Sequence, residues 1–402
     1  MAVTAPLPWS PWRAVVGFGV VSLAADMVYE GARSITGPLL GSLGASALLV
    51  GIVTGAGEAL ALVLRLVFGP RVDRTGSYWS MTLSGYALTA VCVPALALTP
   101  LLGAAGLAVA CVLVLAERTG KAVRSPAKST LLAHAAGPVG LGRGFGVHKA
   151  LDQVGAFAGP LLVAWIVAAT GALWPAMAAL GVPGAAAIVV LLLVRRRVGD
   201  PLGDEARASA RPRESLRRTG RDLPRQFWFF AASAGLTTAG LVTFGVISYH
   251  LVRDSVVSVA AVPIVYAAAM AAAAGAALAT GWLHDRSKGR ILLGLPVLVA
   301  AVPALAFSDT WLLALAGVLI WGGAGGVQDS TVKALVAQLV PPARRGTGYG
   351  MFAAVQGAAA VAGGVLAGAL SETSVPALVV AVAVLQVAAL GLLVRTLRMG
   401  PP

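Results

Sequence analysis

Apolar runs of about 20 residues follow one another from Trp12 to the end of the chain. That length is what a helix needs to cross a bilayer core of roughly 30 Å. Hydrophobic residues make up 58% of the sequence and charged ones 11%, against roughly 45–50% and about 25% in soluble domains. Abundant glycine suits helices that pack backbone to backbone in lipid. The sequence is therefore that of an all-α polytopic membrane protein. Spans are expected near 12–35, 47–68, 79–99, 102–123, 145–169, 172–194, 227–251, 257–283, 290–308, 310–332, 347–370 and 374–396. The first carries charges and has no small-residue cleavage site, so it reads as a retained span. Trp12, Trp79, Trp174, Trp228, Trp282 and Trp311 fall near expected span ends, where interfacial aromatics belong.

The net charge of +14 reads as the basic excess of cytoplasmic loops and gives no reason to expect nucleic acid. Basic residues gather at Arg71 and Arg74, Arg124 to Arg143, Arg195 to Arg225, Arg286 to Arg290, Arg344 and Arg345, and Arg398. That bias places both termini in the cytoplasm and the chain in the cytoplasmic membrane. Residues 195–226 form the one long polar stretch, expected to be a cytoplasmic linker with a surface helix in RPRESLRRTGRDL. It separates an N-terminal six-helix half, 1–194, from a C-terminal one, 227–402. The halves echo each other: RGFGVHKALDQVG from Arg143 aligns without gaps on RGTGYGMFAAVQG from Arg345, and GPRVDRTGSY (69–78) matches GWLHDRSKGR (281–290). Internal repeats of this kind build many secondary transporters.

These motifs resemble the major facilitator superfamily over essentially the whole chain. Its loop pattern G-x-x-x-D-[RK]-x-G-[RK]-[RK] is met by Gly69, Asp73, Arg74 and Gly76, with Ser77 and Tyr78 in place of the last two basic residues. The second copy keeps Gly281, Asp285 and Arg286, with Lys288 and Arg290 supplying charge. The resemblance implies twelve transmembrane helices in two pseudo-symmetric halves, and a cytoplasmic gate at these two loops. In the fifth span Gly146, Gly155, Gly159 and Pro160 hold the spacing of the family's antiporter-associated pattern, while Val163 and Ala164 replace its final glycines. Arg118, Lys121 and Arg124, with Asp152 and the Asp329–Ser330–Thr331 element, are similar to a bacterial branch of exporters. Transport by alternating access is implied, with no enzymatic activity.

Ionisable groups inside spans cost roughly 2.5–3.5 kcal/mol each at mid-membrane, so they are expected to line a cavity and to pair. Asp26 and Glu30 stand one helical turn apart in LAADMVYEGAR; Glu58 lies in the second span and Asp152 in the fifth. Candidate partners are Arg118, Lys121, Lys149 and Arg65. Glu117 with Lys121 and Asp329 with Lys333 are possible pairs within single helices. Two carboxylates in a poorly solvated cavity do not both ionise cheaply. Asp26 is accordingly expected to hold the exchangeable proton, Glu58 being its rival, while Arg33 acts on Glu30.

The combined expectation is a monomeric, proton-coupled exporter of a small drug or metabolite, dependent on its lipid bilayer and needing no cofactor. Two alternatives are a divalent-cation exporter with Asp26 and Glu30 as ligands, and proton-coupled uptake of a small anion on Arg118 and Lys121. No metal site is expected, because His and Cys are sparse. No G-x4-GK[ST] loop suggests ATP as an energy source. His250 is expected to be an interfacial, hydrogen-bonded histidine.

Overall fold

A computed structural model describes residues 9–200, 223–287, 290–332, 335–336, 339–340 and 345–399. Most of the linker, including the expected surface helix, lies outside the described residues. Every described element is helical. In chain order the helices are α1 (Pro11–Ser42), α2 (Ala47–Val63), α3 (Arg65–Thr75), α4 (Tyr78–Ala95), α5 (Gly106–Ala136), α6 (Leu141–Thr170), α7 (Leu173–Ala179) and α8 (Gly181–Val198). They continue as α9 (Arg225–Gly240), α10 (Phe244–Arg253), α11 (Val262–Ser287), α12 (Gly294–Ala306), α13 (Trp311–Val327), α14 (Arg345–Thr373) and α15 (Val375–Arg398).

Among the described residues nine helical segments are long and apolar enough to cross a membrane, and Ile291–Ala306 and Trp311–Val327 are shorter apolar helices. One of the nine, Tyr78–Val139, holds two expected spans. Its chain reverses at Gly103, whose φ of 54° is accessible to glycine at no steric cost, and α4 packs along α5. Each of the twelve expected spans thus falls on a helical segment.

Residues 1–32 and 64–212 form one compact unit, and residues 33–63 and 213–402 form another. In the first, Phe18, Trp79, Tyr86, Leu132 and Leu191 are among the side chains of a buried core. Trp79, expected at an interface, instead stacks on Phe18 with centroids 5.8 Å apart. Its indole N–H donates to the Gly199 carbonyl at 2.8 Å. The N–H has a protein partner there and needs no headgroup.

In the second unit, helices meet through glycine. A Cβ on Gly51 would lie 2.1 Å from the Gly364 carbonyl oxygen, and one on Gly364 would lie 2.2 Å from that of Gly51. The backbones of α2 and α14 therefore touch, as small residues in lipid-embedded helices allow. Phe244, Tyr266 and Trp321 form an aromatic cluster at the α9–α10 break, where the Trp321 indole N–H donates to the Val242 carbonyl at 2.7 Å. At one end of this unit Glu372 Oε1 accepts from the Ala47 N–H (2.9 Å), Arg253 (2.9 Å) and the Tyr249 hydroxyl (3.2 Å). Three helix ends are tied by one carboxylate.

Candidate functional site

The first unit concentrates its ionisable groups on three helices. Along α1, Ser22, Asp26, Tyr29 and Glu30 recur at helical spacing; α5 supplies Glu117, Arg118, Lys121, Arg124 and Lys128; α6 supplies His148, Lys149 and Asp152. The approach of α6 to α1 depends on the antiporter-type glycines. A Cβ at Gly155 would lie 2.1 Å from the Leu23 carbonyl oxygen, and at Gly159 2.2 Å from that of Met27. These two contacts bracket Asp26. Pro160 sits within α6 without ending it. Gly146 has open space where a Cβ would stand, so its expected packing role is not met.

Asp152 is the node of the arrangement. It is buried, its Oδ1 accepts from the Ser22 hydroxyl at 2.7 Å, and its Oδ2 accepts from Lys149 at 2.5 Å. Lys128 donates to Ser22 at 3.4 Å and so supports the same oxygen. The Asp26 carboxyl comes within hydrogen-bonding reach of Asp152. A carboxylate has acceptors only, so such a bond needs one proton between the two groups. Asp152 already has a cation and a hydroxyl directed at it, which favours its remaining the anion. Asp26 is partly accessible while Asp152 is buried.

The α5 cations form a second layer. Arg118 Cζ stands 4.4 Å and Lys121 Nζ 3.6 Å from the Tyr29 ring centroid, and Arg118 also donates to the Tyr29 hydroxyl. Two cations on one ring are a cation–π arrangement that keeps both near their carboxylates. Lys121 lies within Coulombic range of both Asp26 and Glu117. Glu117 accepts from Thr89 at 3.2 Å and pairs with Arg118 at 3.7 Å. Arg124, buried, donates to Thr89 at 2.6 Å and covers Tyr86 at 4.8 Å. Buried charge is thus matched by charge, as low polarity demands.

Glu58 pairs with Arg33 at 2.9 Å within the second unit. Glu30 is buried beside Asp26 and Glu117. Asp329 is exposed in the π-helical turn Gln328–Val332, and Lys333 lies outside the described residues.

At the first loop motif Asp73 is exposed and accepts from the Tyr78 hydroxyl. Tyr78, which replaces a basic residue of the pattern, thus supplies a donor of its own. Gly76 closes α3 in the left-handed region at φ 63°, and Arg74 occupies the last turn of that helix. Gly69 lies inside α3. In the second copy, Gly281, Asp285 and Arg286 lie on α11 with side chains outside the described set.

The chain matches the family model described as Major Facilitator Superfamily over residues 18–364 and 258–402. The chain belongs to the Major Facilitator Superfamily. It is a multi-pass membrane transporter and not an enzyme. An uncharacterized protein of Mycobacterium tuberculosis (strain ATCC 25618 / H37Rv) is 51% identical over 396 residues, covering 98% of this chain and 95% of its own. An MFS-type transporter of Methanocaldococcus jannaschii is 28% identical over 145 residues, 36% of this chain and 35% of that one. Among solved structures, a variant of the nucleoside transporter NupG superposes with a TM-score of 0.76 at 13% identity, covering 96% of this chain and 100% of the other. A POT family transporter in complex with 5-aminolevulinic acid gives 0.74 at 14%, covering 96% and 97%. At such identities the likeness is one of fold.

Sequence reading missed four contributors to the superfamily member's charged cluster. Ser22, Tyr29 and Lys128 are ordinary residues in their own helices and gain meaning only when α1, α5 and α6 meet. His148 is the fourth. It is buried one turn before Asp152, uses one ring nitrogen on the Phe18 carbonyl, and has no hydrogen-bond partner on Nδ1. The i, i+4 spacing of His148 and Asp152 was the available signal. His250 bonds Asp254 at 2.7 Å through Nδ1 and packs on Phe307, and its Nε2 is likewise buried without a hydrogen-bond partner among the described residues.

Proposed function

We propose that the chain is a proton-coupled secondary transporter that exports a small molecule from the cytoplasm by alternating access. The observation that carries this reading is the Asp26–Asp152 carboxyl pair, one member anchored by Ser22 and Lys149, the other partly accessible. A proton held between them leaves when substrate or an altered cavity draws Lys121 toward Asp26, and returns from the other side of the membrane. Substrate and proton then compete for one site, which is the requirement for exchange. The antiporter-type glycines Gly155 and Gly159, packed against α1 beside Asp26, support export over uptake. The proposal includes two six-helix halves, 1–194 and 227–402, joined by the cytoplasmic linker 195–226. The site is monomeric and set in the cytoplasmic membrane with both termini inside.

A thermal-shift screen of purified protein against metabolites, antibiotics and divalent metals supplies the ligand. Proteoliposomes with an imposed proton gradient then test coupling: accumulation of that ligand against its gradient supports the reading, and accumulation indifferent to the proton gradient overturns it. Direction is tested by labelling. A cysteine introduced at Ser209 resists an impermeant thiol reagent in intact cells, while one at Ser255 reacts; the reverse pattern removes the basis for export.

The two cations on Tyr29 favour one second reading, uptake of a small anion that Arg118 and Lys121 would hold. Under that reading Lys121→Gln weakens binding of every ligand found, whereas under export of a neutral or cationic compound it chiefly alters pH dependence. Among the described residues no group of three or more His, Cys, Asp or Glu gathers to hold a metal ion. The cation-exporter alternative therefore draws no support from the site.

A further inference from the structure

The first turns of α1 and the last turns of α8 enclose a groove that the transport reading does not use. Trp9, Trp12, Arg13, Gly17, Val20 and Val190 line it, and its volume is about 560 Å³. That size lies within the roughly 300–1,000 Å³ of small-molecule sites. Its walls follow from sequence spacing: Arg13, Gly17 and Val20 recur at four and three residues, so they share one face of α1, and Trp9 precedes that helix. Gly17 forms the floor because a Cβ there would stand 2.8 Å from the Trp9 ring and 2.8 Å from Val194. The Trp9 N–H bonds the Arg197 carbonyl at 3.4 Å and fixes the two helix ends together.

The groove has two chemically distinct ends. Toward Val20 and Val190 it is apolar, and Val20 and Trp12 face outward, Trp12 being 45% exposed. At the other end stands Arg13, exposed and without an ion-pair partner among the described residues. Arg195, Arg196 and Arg197 occupy the last turn of α8, whose Arg197 carbonyl meets the Trp9 backbone N–H. No acidic residue occurs between Met1 and Ala25, and Asp200 is the one acidic residue between Gln153 and Gly203. Positive-inside anchoring explains basic residues at a span end, but not an apolar slot lined by two tryptophans and ending at Arg13. Tryptophan marks headgroup depth, and arginine matches phosphate oxygens bidentately.

We propose that this groove is a binding site for an anionic phospholipid of the leaflet at the α1 N-terminus. The phosphodiester headgroup sits on Arg13 and the α8 arginines, and one acyl chain lies over Gly17, Val20 and Val190. The transport reading determines only which leaflet this is.

The test uses full-length protein in detergent, titrated with phosphatidylglycerol, phosphatidylcholine or inorganic phosphate, with bound lipid counted by native mass spectrometry and stability followed by thermal shift. The expected result is retention and stabilisation with phosphatidylglycerol, neither of which phosphatidylcholine or inorganic phosphate reproduces. Arg13→Gln weakens phosphatidylglycerol about fivefold, the contribution of one basic side chain at an anionic surface. Val20→Trp, which fills the slot, displaces the lipid; Arg398→Gln, at a different span end, changes nothing. Equal effects of the two lipids would mean a slot for any acyl chain, and an equal effect of phosphate would mean a bare anion patch. Either result, or an unaffected Arg13→Gln, overturns the proposal. None of these readouts depends on transport, so failure here leaves the coupling site untouched.

Discussion

Helices α6 and α14 open with matched stretches, RGFGVHKALDQVG and RGTGYGMFAAVQG, which share the leading arginine but differ in the charges that follow it. Where α6 has His148, Lys149 and Asp152, α14 has Gly350, Met351 and Ala354. The shared glycines do similar work in both. Gly155 meets the backbone of α1 at Leu23, and Gly357 meets α2 at Ala59 and Val63. Repetition has preserved the way each helix packs, while the His, Lys and Asp positions at 148, 149 and 152 occur in one copy only. Buried charge needs nearby compensation, and α5 provides it for α6 through Lys128 and its neighbours. The second unit holds its helices by direct glycine contact, an aromatic cluster and the single carboxylate of Glu372.

The largest expected effect lies on the charged side of this comparison. Asp26→Asn removes the exchangeable proton while keeping the shape, so gradient-driven accumulation falls to background although ligand binding survives. Met351→Gln in α14, the counterpart of Lys149, leaves accumulation near wild type. Loss of coupling in both variants, measured in the same proteoliposomes, would erase the distinction between the two copies.

Next in size are the glycines. Gly155→Val in α6 and Gly364→Val in α14 each force a helix backbone apart and destabilise by about 1–3 kcal/mol, the usual cost of overpacking. Gly146→Ala, whose Cβ would meet nothing, stays within about 0.5 kcal/mol. Thermal unfolding in detergent ranks the three. A Gly146 effect as large as that of Gly155 would mean that the motif acts through something other than contact with α1.

Glu372→Gln sharpens the other side. It weakens charge-assisted hydrogen bonds from Arg253 and the Ala47 N–H, each worth about 1.5–3 kcal/mol at most, and partial solvent exposure reduces this. The expected outcome is faster thiol labelling of a cysteine placed at Ser46, with little change in overall stability. Smallest is the loop motif: Asp73→Asn and Tyr78→Phe each slow turnover modestly and by similar amounts, since they share one hydrogen bond. Asp285→Asn, in the copy with more basic residues, slows it at least as much. Unchanged kinetics in an Asp73→Asn, Asp285→Asn double variant would reduce both loops to topological anchors.

Much of this architecture was readable from composition and spacing, because in a bilayer the length of an apolar run nearly determines the element. The Lys149–Asp152 pair and the Gly155–Gly159 contact surface were equally legible, being properties of one helix at i, i+3 and i, i+4. Partners brought by other helices were not. Nothing local joins Ser22 to Asp152 across 130 residues, or Arg33 to Glu58 across 25 in sequence. Tyr78 looked like a loss of motif charge and is instead the donor to Asp73. Gly146 fitted a pattern that its surroundings do not use. Local periodicity reports which face a residue occupies, whereas pairing depends on which helix arrives there.

The central claim is that Asp26 and Asp152 share the coupling proton, and simultaneous flux of ligand and protons across one membrane tests it most directly. In proteoliposomes containing a pH-sensitive dye, wild-type protein should move protons opposite to ligand whenever either gradient is imposed. Asp26→Asn should exchange ligand down its gradient with no accompanying proton movement, and Asp152→Asn should do the same. Coupled proton flux that persists in both variants would contradict the account and locate coupling outside this pair.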